Sequence, residues 1–207
     1  APEAAYKTPT TIPPHNPDAL YCLCLVYFKR QQDAEAIESF RNVLKKNPFH
    51  ADAHEKLGQA LIRTGAQAEG DGELQAAEDS RMRDKTINDM RRASMADPTN
   101  AELANNLGIE LARQGSYEEA MQAFSRALAA NPRYIDAQYQ MAGVLATTGK
   151  VGEAITAFMQ VDKAQPGYRD TNLYLSRLNE RIGRAPEAKR RKEMYDAQQA
   201  EAAKTKG

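Results

Sequence analysis

Apolar residues recur along the chain with the period of amphipathic helices, and the clearest example lies between residues 101 and 132. A first apolar stripe consists of Leu103, Leu107 and Leu111. A second stripe, after the turn Gln114-Gly115-Ser116, consists of Ala120, Phe124, Ala127 and Leu128. Spacings of three and four residues place each stripe on one helix face. Because Gly commonly ends a helix and Pro cannot continue one, Gly115 and Pro132 delimit two helices in this segment.

The same pattern returns every 34 residues, which indicates an internal repeat. Four sets of residues share this period and phase: Pro98, Pro132 and Pro166; Gly115, Gly149 and Gly183; Ala120, Ala154 and Ala188; and Phe124 with Phe158. Each repeat therefore predicts one pair of helices, called here the first and the second helix of the pair.

This pattern resembles the tetratricopeptide repeat. In the segment 101–132 the matching residues are Leu107, Gly108, Leu111, Gly115, Tyr117, Ala120, Phe124, Ala127 and Pro132. Segments 17–48 and 135–166 match the same positions well. The resemblance implies an all-α fold, a right-handed superhelical solenoid of antiparallel helix pairs with a concave peptide-binding face.

Five repeats are expected over residues 17–196, and both ends of the chain differ from them in composition. We place the repeats at about 17–50, 51–100 with an insertion, 101–134, 135–168 and 169–196. Residues 1–16 contain four prolines and predict an extended linker, whereas residues 197–207 form a polar tail.

The second repeat contains about 16 extra residues, because Pro48 and Pro98 lie 50 residues apart. Two registers fit its second helix. Gly70, Leu74 and Ala77 match without a gap, whereas Met90 and Ala93 match when counted back from Pro98. Since no Gly or Pro lies between Gly72 and Pro98, we expect one extended helix over about 72–96. The alternative is two shorter helices with a kink near Ser80.

The concave face is expected to come from the first helix of each pair, and it is the predicted site for a partner. Its candidate residues are Tyr21, Leu25, Phe28, Glu55, Gln59, Asn105, Asn106, Ile109, Arg113, Tyr139, Gln140, Tyr174 and Arg177. Gly143 lies on the same expected face. This face is apolar and aromatic at its N-terminal end and polar in its middle, a mixture that suits an extended or helical peptide.

Charge and hydropathy narrow the classes of partner. The chain has 28 Lys plus Arg and 28 Asp plus Glu, so it lacks the positive excess of a general nucleic-acid binder. No apolar run approaches the roughly 18 residues of a membrane span.

Cys22 and Cys24 point to opposite sides of a helix and are not expected to pair. Unpaired thiols favour a reducing compartment, whereas Ala1 could follow removal of an initiator Met or of a signal peptide. The compartment therefore stays open between cytoplasmic and periplasmic or exported, and of the two we favour export.

Chemical sites are weakly represented, and we predict no catalytic residues, no metal and no cofactor. His50 and His54 lie four residues apart but lack further ligands. The acidic segment 69–73 lacks the bidentate acid that a calcium loop requires at its twelfth position, where Ser80 stands. No nucleophile and base lie together in the sequence.

The predicted function is a non-catalytic scaffold that holds a segment of another protein in the concave groove. The alternative is an accessory or assembly subunit of a larger complex that docks through the long helix 72–96 or the outer face. The Pro-rich start, elongated helix and Arg-rich last helix resemble exported bacterial repeat proteins, some of which accompany multihaem cytochromes.

Overall fold

The computed structural model describes residues 17–204, with side chains from Tyr21 onward. That range contains ten helices and no strand: α1 (Pro17–Lys29), α2 (Asp33–Lys46), α3 (Ala51–Arg63), α4 (Gln67–Ala96), α5 (Ala101–Arg113), α6 (Tyr117–Ala130), α7 (Ile135–Thr147), α8 (Val151–Ala164), α9 (Thr171–Arg181) and α10 (Ala185–Lys204). The all-α fold built from helix pairs is therefore confirmed. The predicted linker 1–16 and the last three residues of the polar tail lie outside the described residues.

The chain divides into two compact units, residues 1–86 and 87–207, and the division falls inside α4. In unit 1 the core is formed by apolar residues of α1, α2 and α3. They are Cys24, Ala36, Phe40, Val43, Ala53, Leu57 and Leu61. Phe40 and Ala36 are fully buried at the positions where Phe124 and Ala120 stand in the repeat 101–134. Burial raises the pKa of the Cys24 thiol to about 11.

α3 and α4 cross at two glycines in unit 1. A Cβ on Gly70 would lie 2.6 Å from Ile62 Cγ1 and 2.8 Å from the carbonyl oxygen of Gly58. A Cβ on Gly58 would meet Leu74 at 3.0 Å. Only residues without a side chain fit here, so the backbones approach closely. This explains a correction: the long helix begins at Gln67, five residues before the predicted 72, because Gly70 belongs to the helix crossing and does not end a helix.

One uninterrupted helix of 30 residues, α4, replaces the alternative of two shorter helices. At about 1.5 Å per residue it is about 45 Å long. Both registers that the sequence allowed for the second helix of this repeat have contacts in α4. Gly70 and Leu74 pack against α3 in unit 1, whereas Ile87 and Met90 join the core that surrounds α5 in unit 2.

Unit 2 contains the pairs α5–α6, α7–α8 and α9–α10. Its two apolar clusters are centred on Phe124 and Phe158, both fully buried. Gly108 of α5 lies directly against Phe124, since a Cβ on this glycine would fall 2.5 Å from the ring. The small residue that the repeat pattern places in the first helix therefore leaves room for the large aromatic ring of the second helix.

A largely buried arginine links the last pair to the helix before it. Arg191 of α10 is only 11% exposed, and its Nη1 donates to Asp162 Oδ2 of α8 at 2.5 Å and to Asn172 Oδ1 of α9 at 3.0 Å. Four other basic residues near the C-terminus, Arg184, Lys189, Arg190 and Lys192, are exposed. α10 continues into the predicted polar tail as far as Lys204.

The turn inside each pair needs a left-handed backbone at one position. Gly115 and Gly149 occupy it with φ of +84° and +80°, but in the first pair the equivalent residue is Gln31, with φ of +57°. For a residue with a Cβ, this backbone conformation is higher in free energy by about 1–2 kcal/mol.

We predict opposite effects for two substitutions in α4. Gly70→Ala should lower the free energy of unfolding by about 1–3 kcal/mol, because its methyl group would overlap Ile62 and the Gly58 carbonyl. Gly72→Ala should raise it by about 0.5–1 kcal/mol, because no atom lies within 4 Å of its Cβ and alanine favours a helix. Urea unfolding followed by circular dichroism measures both changes, and equal effects would contradict the glycine crossing.

A second pair of substitutions tests the turn. Gln31→Gly should raise the free energy of unfolding by about 0.5–1 kcal/mol, because glycine adopts the left-handed backbone without strain. The reverse change at the equivalent position, Gly115→Gln, should lower it by about 1 kcal/mol, since no atom lies within 4 Å of the new Cβ and backbone strain is then the main effect. Thermal and urea unfolding of both variants provide the comparison. A loss of stability in Gln31→Gly would show that the Gln31 side chain contributes more than its backbone strain costs.

Candidate functional site

A surface pocket of about 320 Å³ lies in unit 2 between α5 and α7. Four of the predicted partner-binding residues line it: Ile109, Arg113, Gln140 and Tyr174. They come from three successive first helices, α5, α7 and α9, as the repeat pattern predicts. The structure therefore brings together part of the predicted concave face in one place.

The space in this pocket depends on Gly143. Gly143 lies in the middle of α7, and no atom lies within 4 Å of the place where its Cβ would be. Ile109 and Ala112 of α5 supply apolar surface opposite, with Val144 beside Gly143. A larger side chain at residue 143 would occupy the pocket without displacing its neighbours.

The rim of the pocket is polar. Arg113 is 65% exposed and its Nη1 donates to Glu110 Oε1 at 2.5 Å. A guanidinium carries five N–H donors, so its other groups can reach a ligand. Gln140 and Thr147 of α7 add amide and hydroxyl groups to the lining. An apolar floor with a few polar groups at its edge is the usual composition of a site that anchors one side chain and fixes the backbone beside it.

Beside the pocket, Tyr139 belongs to an aromatic cluster. Its ring centroid lies 5.6 Å from that of Phe158, 5.7 Å from Tyr168 and 6.1 Å from Tyr174. Burial raises the pKa of the Tyr139 hydroxyl to about 12. The guanidinium of Arg169 lies 5.7 Å from the centroid of the same ring. Much of the Tyr139 side chain is therefore in contact with residues of its own unit.

Two asparagines of α5 occupy different environments. Asn105 is 3% exposed, and its Oδ1 accepts no hydrogen bond from the described residues. Buried amide oxygens are normally paired, so Asn105 holds an unused acceptor. Asn106 is exposed, as is Arg177 of α9.

In unit 1 the predicted aromatic residues are partly buried by neighbours in the same unit. Tyr21 packs against His50, with ring centroids 4.6 Å apart, and Leu25 joins the apolar core. The ring of Phe28 lies below the guanidinium of Arg63 at 4.1 Å. These side chains retain some exposure, but part of each surface is already covered.

The predicted polar residues of unit 1 form a charged network. Glu55 accepts hydrogen bonds from Lys56, Gln59 and Arg81. The cations Lys56 and Arg81 hold the pKa of the Glu55 carboxyl at about 2, so Glu55 is ionised at neutral pH. Arg81 is a residue that the sequence did not single out, because it reaches Glu55 only through the extra length of α4.

Other lining residues of the unit 2 pocket were also missed, namely Ala112, Tyr117, Val144 and Thr147. A signal existed for Ala112 and Thr147, which follow Ile109 and Gly143 by three and four residues and therefore share their helix faces. Tyr117 begins a second helix, and the assignment of the groove to first helices alone left it out.

The two histidines have local roles. His50 Nδ1 accepts the N–H of Ala53 at the start of α3, and His54 lies 2.6 Å from Glu73 through Nδ1. Within residues 17–204 no three His, Cys, Asp or Glu side chains are grouped so that they could hold a metal ion. None of the described helices has both the length and the hydropathy of a membrane-spanning helix.

Models of one repeat family match most of the helical part of the chain. Three tetratricopeptide-repeat models match residues 25–65, 75–135 and 111–170. The matched residues include α5 and α7, which are two of the three first helices that line the pocket. The third, α9, begins just after the last matched residue. Among curated proteins, no relative matches the chain.

Solved structures share the fold at low sequence identity. Two crystal structures of MamA superpose with a TM-score of 0.54; one is 22% identical and covers 88% of this chain and 97% of its own, and the other is 21% identical and covers 91% and 94%. A MamA double mutant gives the same TM-score at 13% identity, covering 90% and 96%. The helix pairs, the 34-residue period and the three family models agree. The chain belongs to the tetratricopeptide-repeat family.

Proposed function

We propose that this protein is a non-catalytic interaction scaffold that binds a segment of another protein in the groove of unit 2. The observation that supports this proposal most directly is the pocket at Gly143, where the absence of a side chain leaves room on a face formed by successive first helices. Tetratricopeptide-repeat proteins generally act as interaction scaffolds, which agrees with this proposal.

The pocket composition defines the kind of segment. One large apolar side chain of the partner enters between Ile109 and Gly143, where apolar surface is available for burial. Gln140 and Arg113 then bind backbone carbonyls or a carboxylate on either side of that anchor. An extended segment or one turn of helix meets this requirement.

Asn105 supplies a further polar contact in the proposed complex. Its Oδ1 is buried and has no donor among the described residues, so we propose that the side chain turns outward on binding and then accepts a backbone N–H of the partner. Asn106, Tyr139, Tyr174 and Arg177 are proposed to contact the same segment. In unit 1, Tyr21, Leu25, Phe28, Glu55 and Gln59 are proposed as separate partner contacts, through the surface that their neighbours leave exposed.

The second candidate is an accessory or assembly subunit that docks through α4. The specific observation in its favour is Met82, which is 63% exposed on this helix. A large apolar side chain with that exposure on a long helix suits a docking surface. Loss of a partner through changes on α4, with the groove intact, would favour this role.

Filling the pocket provides the test of the groove. Gly143→Leu should reduce partner binding by about tenfold or more, because its side chain occupies the anchor position. Gly152→Leu is the matched control, since Gly152 also lies in a helix with no atom within 4 Å of its Cβ but is exposed on α8. The full chain and both variants are used as bait in host extract, and each captured protein is quantified by mass spectrometry.

Binding of the purified partner is then measured by isothermal titration calorimetry. Circular dichroism establishes that both variants fold as the parent does. The groove proposal is supported when a partner is lost with Gly143→Leu and kept with Gly152→Leu. Partners that bind the two variants equally well would remove the pocket from the interaction.

A further inference from the structure

The turn between α8 and α9 departs from the repeat. α3, α5 and α7 each begin three residues after the proline that closes the preceding repeat, whereas α9 begins five residues after Pro166. Arg169 and Asp170 therefore lie in the turn, at the positions where Ile135 and Asp136 begin α7. Arg169 has a φ of +46°, a backbone conformation that residues with a Cβ seldom adopt. In this longer turn the Arg169 side chain reaches α7.

Arg169 lies over an aromatic and acidic site. Its Nη2 is 2.6 Å from Asp136 Oδ1. The carbon of its guanidinium lies 5.4 Å from the ring centroid of Tyr168 and 5.7 Å from that of Tyr139. Aromatic faces and carboxylates both attract cations. Asp136, Tyr139 and Tyr168 therefore form a site for a guanidinium group, called here the cation site.

The cation site keeps its shape through contacts that do not involve the Arg169 side chain. Tyr168 Oη donates a hydrogen bond to Asp136 Oδ1 at 2.5 Å. The ring of Tyr139 packs against Phe158, which is fully buried. The three side chains of the site are themselves partly buried. The site therefore remains formed when its present occupant turns away.

The Arg169 side chain can leave the cation site without opening the core. It is 51% exposed, and an ion pair with that exposure contributes little to stability because water screens it. The carbonyl oxygen of Arg169 accepts a hydrogen bond from Gln198 Nε2 at 3.3 Å, so the turn stays attached to α10. Exchange of Arg169 for another cation therefore requires only rotation of one side chain.

The charges around the site are acidic in excess. The first turns of α5 and α7, with the turns before α7 and α9, contain three carboxylates and two guanidinium groups: Glu102, Asp136, Asp170, Arg133 and Arg169. Burial raises the pKa of the neighbouring Tyr134, and the carboxylates of Asp136 and Glu102 raise it further. When Arg169 turns away, one guanidinium remains against three carboxylates, which favours the approach of a cation.

We propose that the cation site binds an arginine side chain of the segment held in the unit 2 groove, in exchange for Arg169. This inference rests on the proposed groove function and adds the charge of the segment. Tyr174 lines the pocket and packs against Tyr139, with ring centroids 6.1 Å apart, so the site adjoins the pocket. Arg169 is then an internal occupant that a partner must displace.

The geometry of α7 defines where that arginine lies in the segment. Tyr139 precedes Gly143 by four residues, a rise of about 6 Å along the helix. Two residues of an extended segment span about 7 Å, and side chains two apart point to the same side. The partner should therefore carry an arginine two residues from its apolar anchor. Binding of the anchor raises the effective concentration of the arginine, which allows it to replace Arg169.

A pair of peptides tests the exchange on the full chain. The probe is a fluorescent peptide with one leucine and an arginine two residues to each side of it, so that either chain direction places an arginine at the site. Its control has citrulline, which is similar in shape but neutral, in place of both arginines. In fluorescence anisotropy, Arg169→Ala should lower the dissociation constant of the arginine peptide by about fivefold and leave that of the citrulline peptide unchanged, because the internal guanidinium no longer competes.

Two variants test whether the effect belongs to the site. Arg133→Ala is the matched control, since Arg133 is an exposed arginine in the preceding turn and its removal changes the net charge equally. It should leave both dissociation constants within about twofold of the parent, because solvent screens exposed charges. Asp136→Asn should abolish the preference for arginine, and circular dichroism checks that each variant folds. An equal gain in Arg133→Ala, an equal gain for the citrulline peptide, or no gain in Arg169→Ala would overturn the inference.

Gly143→Leu, added to the parent and to Arg169→Ala, distinguishes this inference from the groove proposal. Loss of both peptides with Gly143→Leu, together with the arginine effect of Arg169→Ala, supports both. Loss of both peptides without any arginine effect retains the groove and overturns the exchange. Binding that survives Gly143→Leu with the arginine effect intact removes the pocket and retains the cation site.

Discussion

The structure depends on the close approach of a first helix to a second helix around one buried side chain. In the pair α5–α6 the ring of Phe124 lies against Gly108, so near that any side chain there would overlap it. Phe40 and Phe158 are buried at the same place in their own repeats. Each pair thus completes its interior with a contact between neighbours in sequence, and adjoining pairs add to it. The surfaces of the first helices that face away from their second helices need not contribute to stability. They are therefore available for binding in the groove.

In the second repeat, different residues form the close contact between the first and the second helix. Gly58 and Gly70 bring two backbones together, with Leu74 in the position that a phenylalanine takes elsewhere. α4 begins two residues after Gly65, as α6 begins two residues after Gly115, and it continues as one helix to Ala96. Its first half completes a pair with α3, and its second half supplies Ile87 to the core around α5. One helix therefore contributes to the packing of two repeats, and the candidate groove lies where the repeats keep their regular length.

Much of the fold could be predicted because its determinants are local. Apolar spacing and a 34-residue period identify the pairs, and the absence of Gly and Pro after Gly72 indicates the long helix. The start of that helix at Gln67 also follows from the repeat, since Gln67 stands two residues after Gly65 as Tyr117 stands two residues after Gly115. The expected start at residue 72 was wrong because it rested only on the absence of Gly and Pro after Gly72. Within the site, Ile109 and Gln140 could be placed from helix faces. The pairing of Arg81 with Glu55, and the stacking of Arg169 near Tyr139, depend on how distant segments meet, which single-sequence periodicity does not contain.

The uninterrupted length of α4 has a consequence for the evolution of such proteins. A loop absorbs inserted residues without disturbing the next element of the chain, but every residue gained or lost inside a continuous helix turns the remainder of that helix by about 100°. A relative whose long helix contacts the equivalents of α3 and of α5 with the same two faces must therefore keep this insertion length, or differ from it by about 7, 11 or 18 residues, which are near whole numbers of turns. Length differences among such relatives should consequently come in steps, and a relative between two steps would aim its helix at a different neighbour.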